Sequence, residues 1–131
     1  MKIELVNCEE QYWEFVRLLR INPKNQNGFF TYAEITEEQQ TKYMISNSNR
    51  YKICLIDNEP AGYVGLVGDH EITYCVSPEF KGKGIGTFMV KEYTPSFNMM
   101  EAYVKIDNIA SQKVFEKLGW EKQFYYKFSK K

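Results

Sequence analysis

Three glycines and two lysines stand close together in the second half of the chain. The segment consists of Lys81, Gly82, Lys83, Gly84, Ile85 and Gly86. Glycine adopts positive φ values readily and lets a ligand approach the backbone closely. A helix that begins within this segment would also turn free N–H groups and a partial positive charge toward an anion. The combination predicts a phosphate-binding loop.

Other glycine-rich loops match this segment less well. A P-loop ends in Gly-Lys followed by Ser or Thr, and this segment lacks that ending. The dinucleotide-binding fingerprint requires an early βαβ unit and an acidic residue after the next strand. An ordinary turn with exposed lysines is the plain alternative. Here, however, an apolar strand precedes the loop, and an amphipathic helix with Ile85, Phe88 and Met89 follows it. This context favours the phosphate site.

One histidine and one glutamate precede the loop on a predicted strand over residues 70–76. His70 is the only histidine of the chain, and its natural pKa suits a base near neutral pH. Its even spacing from Tyr74 and Val76 places the three on one face of a strand. Glu71 then faces the other way unless a bulge intervenes. The alternative for His70 is an exposed turn residue without a catalytic role, and both interpretations stay open.

The loop and its flanks resemble the acetyl-CoA motif of the GNAT superfamily of acetyltransferases. In that motif a strand ends in Val-x-Pro and is followed by Arg/Gln-x-x-Gly-x-Gly/Ala and a helix. Val76, Ser77 and Pro78 match its start, and Lys81 stands where the family prefers Arg or Gln. A second family signature, Asn-x-x-Ala followed by Tyr-Glu-Lys-x-Gly-Phe, resembles the residues Asn108, Ile109, Ala110, Ser111, Phe115, Glu116, Lys117, Leu118, Gly119 and Trp120.

This resemblance implies a fold and a cofactor site. The fold is α/β (α+β), a mixed, mostly antiparallel central sheet of six to seven strands with helices on both faces. Two parallel strands, residues 70–76 and 100–106, would splay apart and admit the pantetheine arm of acetyl-CoA beside Cys75 and Val76. The pyrophosphate would lie on the N–H groups of residues 82–86. The implied cofactor-binding residues are Cys75, Val76, Lys81, Gly82, Lys83, Gly84, Ile85, Gly86, Asn108, Ser111 and Phe115.

The resemblance also implies direct attack of an amine on acetyl-CoA in a ternary complex. The amine must lose a proton, and related enzymes often carry Glu or His near the position of His70 and Glu71. A backbone N–H near Val76 would stabilise the oxyanion. The family tyrosine that protonates the departing thiolate corresponds to Phe115, which has no hydroxyl. The substitutes left open are Tyr74, Tyr103, Tyr125, Tyr126 and water.

The acceptor site of the family lies mainly between the N-terminal helices. Here that region offers Arg20, Phe30 and Glu34 as substrate-binding candidates, with Phe29 and Tyr32 extending an aromatic wall. An arginine there suits a phosphate-bearing acceptor, and the pattern faintly resembles acetyltransferases of amino-sugar nucleotides. The first hypothesis is therefore N-acetylation of a small primary amine, such as an amino sugar. The alternatives are a protein or peptide amine and, because of Phe115, a non-catalytic acyl-CoA-binding regulatory module.

Hydrophobic periodicity and turn residues predict the elements that position these groups. A capping box at Thr36 and Gln39 opens one helix, and Asn108 caps another. The predicted strands cover residues 2–6, 51–56, 61–67, 70–76, 100–106 and 123–128, and the predicted helices cover 9–21, 36–46, 84–92 and 109–118. Without repeats or a linker, residues 1–131 are predicted to form one domain.

Composition excludes several other classes. Seventeen basic residues balance 17 acidic ones among 131, so there is no general attraction to nucleic acid or an anionic membrane. The odd set Cys8, Cys54 and Cys75 has no C-x-x-C spacing, which indicates neither disulfides nor a metal site and fits a reducing cytoplasm. No apolar run approaches the roughly 20 residues of a membrane span. Exposed aromatics would allow a homodimer but do not require one.

Overall fold

A four-stranded antiparallel sheet forms the centre of the molecule. The computed structural model describes residues 1–30, 33–96, 99–124 and 126–130. The strands are β1 (Ile3–Asn7), β2 (Tyr51–Ile56), β3 (Glu59–Val67) and β4 (Glu71–Val76), and their order in the sheet is β1-β2-β3-β4. Each neighbouring pair is antiparallel.

Tight turns join the consecutive strands β2, β3 and β4, as the sequence predicts. Asp57 and Asn58 both have positive φ values, 48° and 69°, between β2 and β3. Two left-handed residues in a two-residue loop match the right-handed twist of a hairpin, and Asp and Asn tolerate that conformation. Gly68, with a φ of 63°, turns the chain between β3 and β4.

Helices cover both faces of the sheet. The helices α1 (Trp13–Ile21) and α2 (Glu37–Asn47) pack on one face, where Val16, Leu19 and Met44 meet the alternate strand residues Ile53 and Leu55. The capping box predicted for α2 is confirmed. The N–H of Gln39 lies 3.1 Å from the Thr36 hydroxyl oxygen, and the Gln39 side chain accepts from the Thr36 N–H at 2.9 Å.

The other face carries the helices α3 (Ile85–Tyr93) and α4 (Ile109–Lys117). Ile85, Met89 and Phe115 pack there against the opposite set of strand residues, which includes Val64 and Ile72. Short 3-10 turns connect the elements over Glu10–Tyr12, Pro23–Gly28, Ser48–Arg50, Pro78–Phe80 and Thr94–Ser96. No helix in the described part of the chain is both long and apolar enough to cross a membrane.

The prediction of six to seven strands is wrong. Residues 100–106 run parallel to β4 but join it only at the Glu71–Glu101 bridge. The N–H of Ile72 donates to the Glu101 carbonyl and the N–H of Glu101 to the His70 carbonyl, each at 2.8 Å. Beyond Glu101 the alternate side chains Ala102 and Val104 still pack on the core, but the backbone forms no further ladder with β4.

The predicted strand over residues 123–128 is not formed at its described positions, and Tyr125 lies outside the described residues. Phe124 and Phe128 are 79% and 93% exposed. Alternation of side chains specifies an extended backbone, but a strand also requires a neighbouring edge with free N–H and C=O groups. At its described positions this segment pairs with no strand.

Candidate active site

A cavity of about 550 Å³ lies where β4 and residues 100–106 separate. Glu71 and Thr73 reach it from one face of β4, while Ile72 and Tyr74 reach it from the other face. Because successive residues of a strand point to opposite faces, a cavity that touches both sets passes through the sheet. The missing ladder beyond Glu101 is what leaves this passage open.

The cavity has two sides with different chemistry. The α4 side consists of Tyr74, Asn108, Ser111 and Phe115. The α1–α2 side is formed mainly by aromatic and polar side chains, namely Arg20, Phe29, Gln39, Gln40, Tyr43, Tyr51 and Tyr63. The carboxylate of Glu71 and the hydroxyl-bearing Thr73 lie on the same strand face as Cys75, which packs with the α1–α2 core.

The backbone of β4 offers N–H groups to the passage. The N–H of Ile72 points toward Glu101, away from β3. Since backbone N–H groups alternate in direction along a strand, those of Tyr74 and Val76 point the same way. The N–H of Ser77 confirms the alternation, because it donates to the Ala61 carbonyl of β3 at 2.8 Å.

The glycine loop forms the turn between β4 and α3. Gly82 and Gly84 have φ values of 81° and 78°, and a Cβ atom at either position would meet nothing within 4 Å. Gly84 is the N-cap of α3. Because glycine has no side chain, it makes no capping hydrogen bond to the first N–H groups of the helix. Lys81 and Lys83 are exposed beside them, whereas Ile85 and Gly86 are buried. This open, positive turn can accommodate a phosphate.

Tyr74 occupies the centre of the α4 side. Its hydroxyl lies 2.6 Å from the Ser111 hydroxyl, and its ring centroid lies 6.1 Å from that of Phe115. A Cβ atom on Gly86 would come within 2.9 Å of the Tyr74 ring, so glycine is needed there for close packing. Burial raises the pKa of Tyr74, and the hydrogen bond with Ser111 acts in the opposite direction. The hydroxyl is therefore protonated at neutral pH.

Asn108 lies at the cavity between the start of α4 and the Pro23–Gly28 turn. Its Oδ1 accepts a hydrogen bond from the N–H of Ser111 at 3.1 Å and so caps α4. Its Nδ2 would lie 3.6 Å from a Cβ atom built on Gly28. The Pro23–Gly28 turn thereby lies near the start of α4, and Gly28 and Asn108 both line the cavity.

His70 and Glu71 have different surroundings although they are adjacent. Glu71 is half-buried and lines the cavity. The His70 side chain is 54% exposed, and its Nε2 lies 3.2 Å from Glu101 Oε2. β4 begins at Glu71, so His70 belongs to the preceding turn and the strand alternation does not extend to it. Of the two predicted bases, only Glu71 reaches the cavity.

The predicted acceptor residues are partly brought together. The Arg20 guanidinium carbon lies 3.7 Å from the centroid of the Phe29 ring, and both residues line the cavity. Phe30 lines its rim and is 67% exposed. Glu34 is exposed and is not part of the cavity wall, and Tyr32 lies outside the described residues.

A family model described as "Acetyltransferase (GNAT) family" matches residues 10–120. The chain belongs to this family. It is an acetyl-CoA-dependent acetyltransferase, as the two sequence signatures predicted. The match spans every helix and strand named above except β1.

Solved structures share the fold of this acetyltransferase. A phosphinothricin acetyltransferase from Sinorhizobium meliloti in complex with AcCoA has a TM-score of 0.78 at 19% identity, covering 95% of this chain and 77% of that one. Spermidine N-acetyltransferase from Vibrio cholerae in complex with CoA and spermine has a TM-score of 0.77 at 16% identity, and the match covers 89% of this chain and 79% of that one. A domain from Methanocaldococcus jannaschii has a TM-score of 0.77 at 25% identity, and the match covers 93% of this chain and 90% of that one.

Several cavity residues of the acetyltransferase were missed by sequence reasoning. Thr73 follows Glu71 by two positions, so strand alternation alone could have placed it beside that carboxylate. Tyr43 and Tyr51 share a hydrogen bond between their hydroxyls at 2.8 Å, and either can donate. Nothing in their spacing signals this contact, because it joins α2 to the start of β2.

The cysteines of the acetyltransferase are core residues. Cys8, Cys54 and Cys75 are buried free thiols. Burial raises the pKa of Cys75 to about 12, although the charges of Lys81 and Arg20 act to lower it. A protonated thiol is a poor nucleophile. Within the described ranges no three His, Cys, Asp or Glu side chains gather as metal ligands would.

Proposed function

We propose that this protein moves the acetyl group of acetyl-CoA to a primary amine of a small molecule in a ternary complex. The observation that carries this proposal is one continuous cavity that reaches both faces of β4. Its α4 side adjoins the exposed amides of β4, and its α1–α2 side holds a carboxylate and a cation. A donor and an acceptor can therefore enter from opposite faces and meet at β4.

The donor side fits acetyl-CoA in its charge and in its backbone groups. The open turn at Gly82 and Gly84, with Lys81 and Lys83 beside it, would hold the pyrophosphate. The N–H groups of Tyr74 and Val76 face the passage, and that of Val76, nearer the loop, would pair with a pantetheine carbonyl. The remaining contacts would come from Cys75 through its backbone, from the helix start at Ile85 and Gly86, and from Asn108, Ser111 and Phe115.

Acetyl-CoA supplies an activated thioester carbonyl, and the protein has to supply a base. An amine is protonated at neutral pH and attacks only after losing that proton. Glu71 is half-buried at the cavity and can accept the proton directly or through one water. The backbone N–H of Tyr74 faces the passage closer to Glu71 and can donate to the oxygen that becomes negative. His70 remains a prediction from the sequence as an alternative base.

Tyr74 is the group that can replace the missing hydroxyl at Phe115. Its ring packs beside Phe115 on the α4 side, and its hydroxyl is bonded to Ser111. A protonated phenol there can deliver its proton to the departing thiolate and be reprotonated from solvent through the Ser111 hydroxyl. Tyr103 also lines the cavity, but its hydroxyl donates to Glu101, which makes it the weaker candidate.

A small amine fits the acceptor side better than a peptide does. The cavity volume lies within the range of small-molecule sites, roughly 300–1,000 Å³. The spermidine and phosphinothricin acetyltransferases of similar fold carry the names of small amines. Within this class, an amino sugar or nucleotide-linked amino sugar remains our narrower hypothesis.

The decisive experiment is a thiol-release assay with acetyl-CoA and a panel of small amines, amine-terminated peptides and a no-amine control. We expect CoA release that depends on a small amine, with the acetylated product identified by mass spectrometry. Calorimetric binding of acetyl-CoA without release from any acceptor would reject the transferase assignment for this chain and support the acyl-CoA-binding module. Faster release with peptides would favour the peptide alternative.

A further inference from the structure

The α1–α2 side of the cavity contains two tyrosine hydroxyls that are bonded to each other. Tyr43 belongs to α2 and Tyr51 begins β2, and both line the cavity. Their hydroxyl oxygens lie 2.8 Å apart, and either can donate. Burial raises the pKa of Tyr51 well above its ordinary value, and the hydrogen bond with Tyr43 acts in the same direction. The Tyr51 hydroxyl is therefore protonated at neutral pH.

A row of residues across the sheet fixes the ring of Tyr51. Tyr51 pairs with Gly65 on β3, and Gly65 pairs with Thr73 on β4. A Cβ atom on Gly65 would overlap the Tyr51 ring, so the ring lies over the backbone of β3. The Tyr63 ring packs against it edge to face, with 6.1 Å between the two centroids. Because Tyr51 is buried, packing holds its hydroxyl in place before any ligand arrives.

The same row brings the hydroxyl pair toward the proposed base. Thr73 lines the cavity on the same strand face as Glu71 and lies two residues from it, roughly 7 Å along β4. Tyr51 stands two strand spacings from Thr73, about 10 Å between their Cα atoms, and its ring covers part of that span. A small molecule with its amine at Glu71 can therefore place a second polar group at the tyrosine pair.

The remaining hydrogen-bonding capacity of the pair limits what it can bind. Two hydroxyls have two protons and four lone pairs, and the bond between them uses one of each. Neither hydroxyl makes a second hydrogen bond among the described residues. One proton and three lone pairs are left for a ligand.

Three kinds of ligand group would use this capacity differently. A hydroxyl both donates and accepts, so it can engage the proton and a lone pair together. An ammonium group only donates and leaves the proton of the pair without an acceptor, which is costly where the donor is buried. A carboxylate only accepts, and it would meet the lone pairs of the second hydroxyl.

We propose that the Tyr43–Tyr51 pair is a specificity subsite for the acceptor and binds a hydroxyl group, so that the preferred substrate is a hydroxylated amine. This inference rests on the proposed transferase function and narrows its substrate class. It separates the acceptor from diamines and from amino acids, whose second polar group is charged, and it includes the amino sugars.

The test compares amines with and without a hydroxyl group. Butylamine is paired with 3-aminopropan-1-ol, hexylamine with 5-aminopentan-1-ol, and cyclohexylamine with glucosamine. The cationic and anionic arms are 1,5-diaminopentane and 6-aminohexanoate. We expect kcat/KM to be higher for the hydroxylated member of at least one pair by about tenfold, because its partner leaves a buried hydroxyl without a hydrogen bond. That member should also exceed both charged arms.

Replacing both tyrosines by phenylalanine keeps the rings and removes the hydroxyls. Tyr43→Phe combined with Tyr51→Phe should abolish the preference by lowering kcat/KM for the hydroxylated amine, and the plain alkylamine should stay within about threefold. Tyr12→Phe is the matched control, because Tyr12 is half-buried against the α1–α2 core and is not among the described residues that line the cavity. Acetyl-CoA affinity and the thermal midpoint are measured for each variant.

The single variant Tyr43→Phe keeps the proposal testable if the double variant does not fold. Tyr43 is 41% exposed, so losing its hydroxyl leaves little unsatisfied in the free protein. It removes one of the two groups that face the ligand hydroxyl and should reduce the preference by about threefold or more.

The outcomes separate the two proposals. If the wild type acetylates no amine, the transferase assignment itself fails. If it acetylates amines but treats both members of every pair alike, prefers a charged arm, or keeps its preference after the tyrosine hydroxyls are removed, the role of the Tyr43–Tyr51 pair is overturned and the transferase function stands.

Discussion

At the residue scale, the contrast between Glu71 and His70 is the sharpest feature of the site. The two are adjacent in sequence, yet Glu71 lines the cavity and His70 lies in the preceding turn beside Glu101. Residue type alone favours histidine near neutral pH. Position favours the glutamate, because a base must come within hydrogen-bond reach of the proton it removes, directly or through one water.

Glu71→Gln should lower kcat by about a hundredfold or more, the usual contribution of a general base, and should leave acetyl-CoA affinity unchanged. The glutamine keeps the size of the side chain but cannot accept the proton. His70→Asn is the matched control and should alter kcat by less than about threefold. Steady-state rates from pH 6 to 10 measure both. A large loss in His70→Asn together with a small loss in Glu71→Gln would assign the base to His70 instead.

Tyr74→Phe should lower kcat and leave the dissociation constant of acetyl-CoA unchanged. Burial raises the pKa of Tyr74, so the wild-type hydroxyl stays protonated through neutral pH. It loses its proton only above the ordinary tyrosine value of about 10. The wild-type rate should therefore fall at that alkaline limit, and this fall should be absent in Tyr74→Phe. Tyr103→Phe is the control. If Tyr74→Phe and Tyr103→Phe have identical pH–rate profiles, Tyr74 is not the general acid.

At the element scale, the glycine loop depends on backbone conformation at two positions. Gly82 and Gly84 have left-handed φ values and open space around them. The sequence predicted this turn because glycine and lysine alternate between an apolar strand and an amphipathic helix. The capping box of α2 and the hairpin at Asp57 and Asn58 were equally predictable, since each depends on residues only a few positions apart.

Gly84→Glu should weaken acetyl-CoA binding by at least tenfold and destabilise the fold by about 1–2 kcal/mol, the cost of a left-handed non-glycine residue. The added carboxylate would repel the pyrophosphate at the start of α3. Gly119→Glu is a matched control, because Gly119 has a φ of 83° and equally open space beyond the end of α4. It should show the same loss of stability without the loss of binding. Calorimetry and urea unfolding separate the two effects.

At the scale of the whole molecule, the passage through the sheet joins groups that are distant in sequence. Arg20 from α1, Glu71 from β4 and Ser111 from α4 line one cavity. The sequence indicated each group separately, but not that the polar contacts of Tyr74 and Tyr51 would complete the walls. The two extra strands were overpredicted for the same reason. Alternation in residues 100–106 and 123–128 is local, whereas pairing depends on which edge of the sheet is available.

The passage also predicts which amides a bound ligand will protect from hydrogen exchange. The N–H groups of Tyr74 and Val76 face the opening, whereas those of Thr73 and Cys75 face β3 by the same alternation. Saturating CoA should therefore slow exchange at Tyr74 and Val76 more than at Thr73 and Cys75, which already have partners on β3. The four amides lie on one strand, so a general stabilisation by ligand binding would act on all of them and cannot mimic the alternation. NMR exchange rates with and without CoA measure this, and uniform slowing along β4 would mean that the pantetheine arm does not pair with this strand.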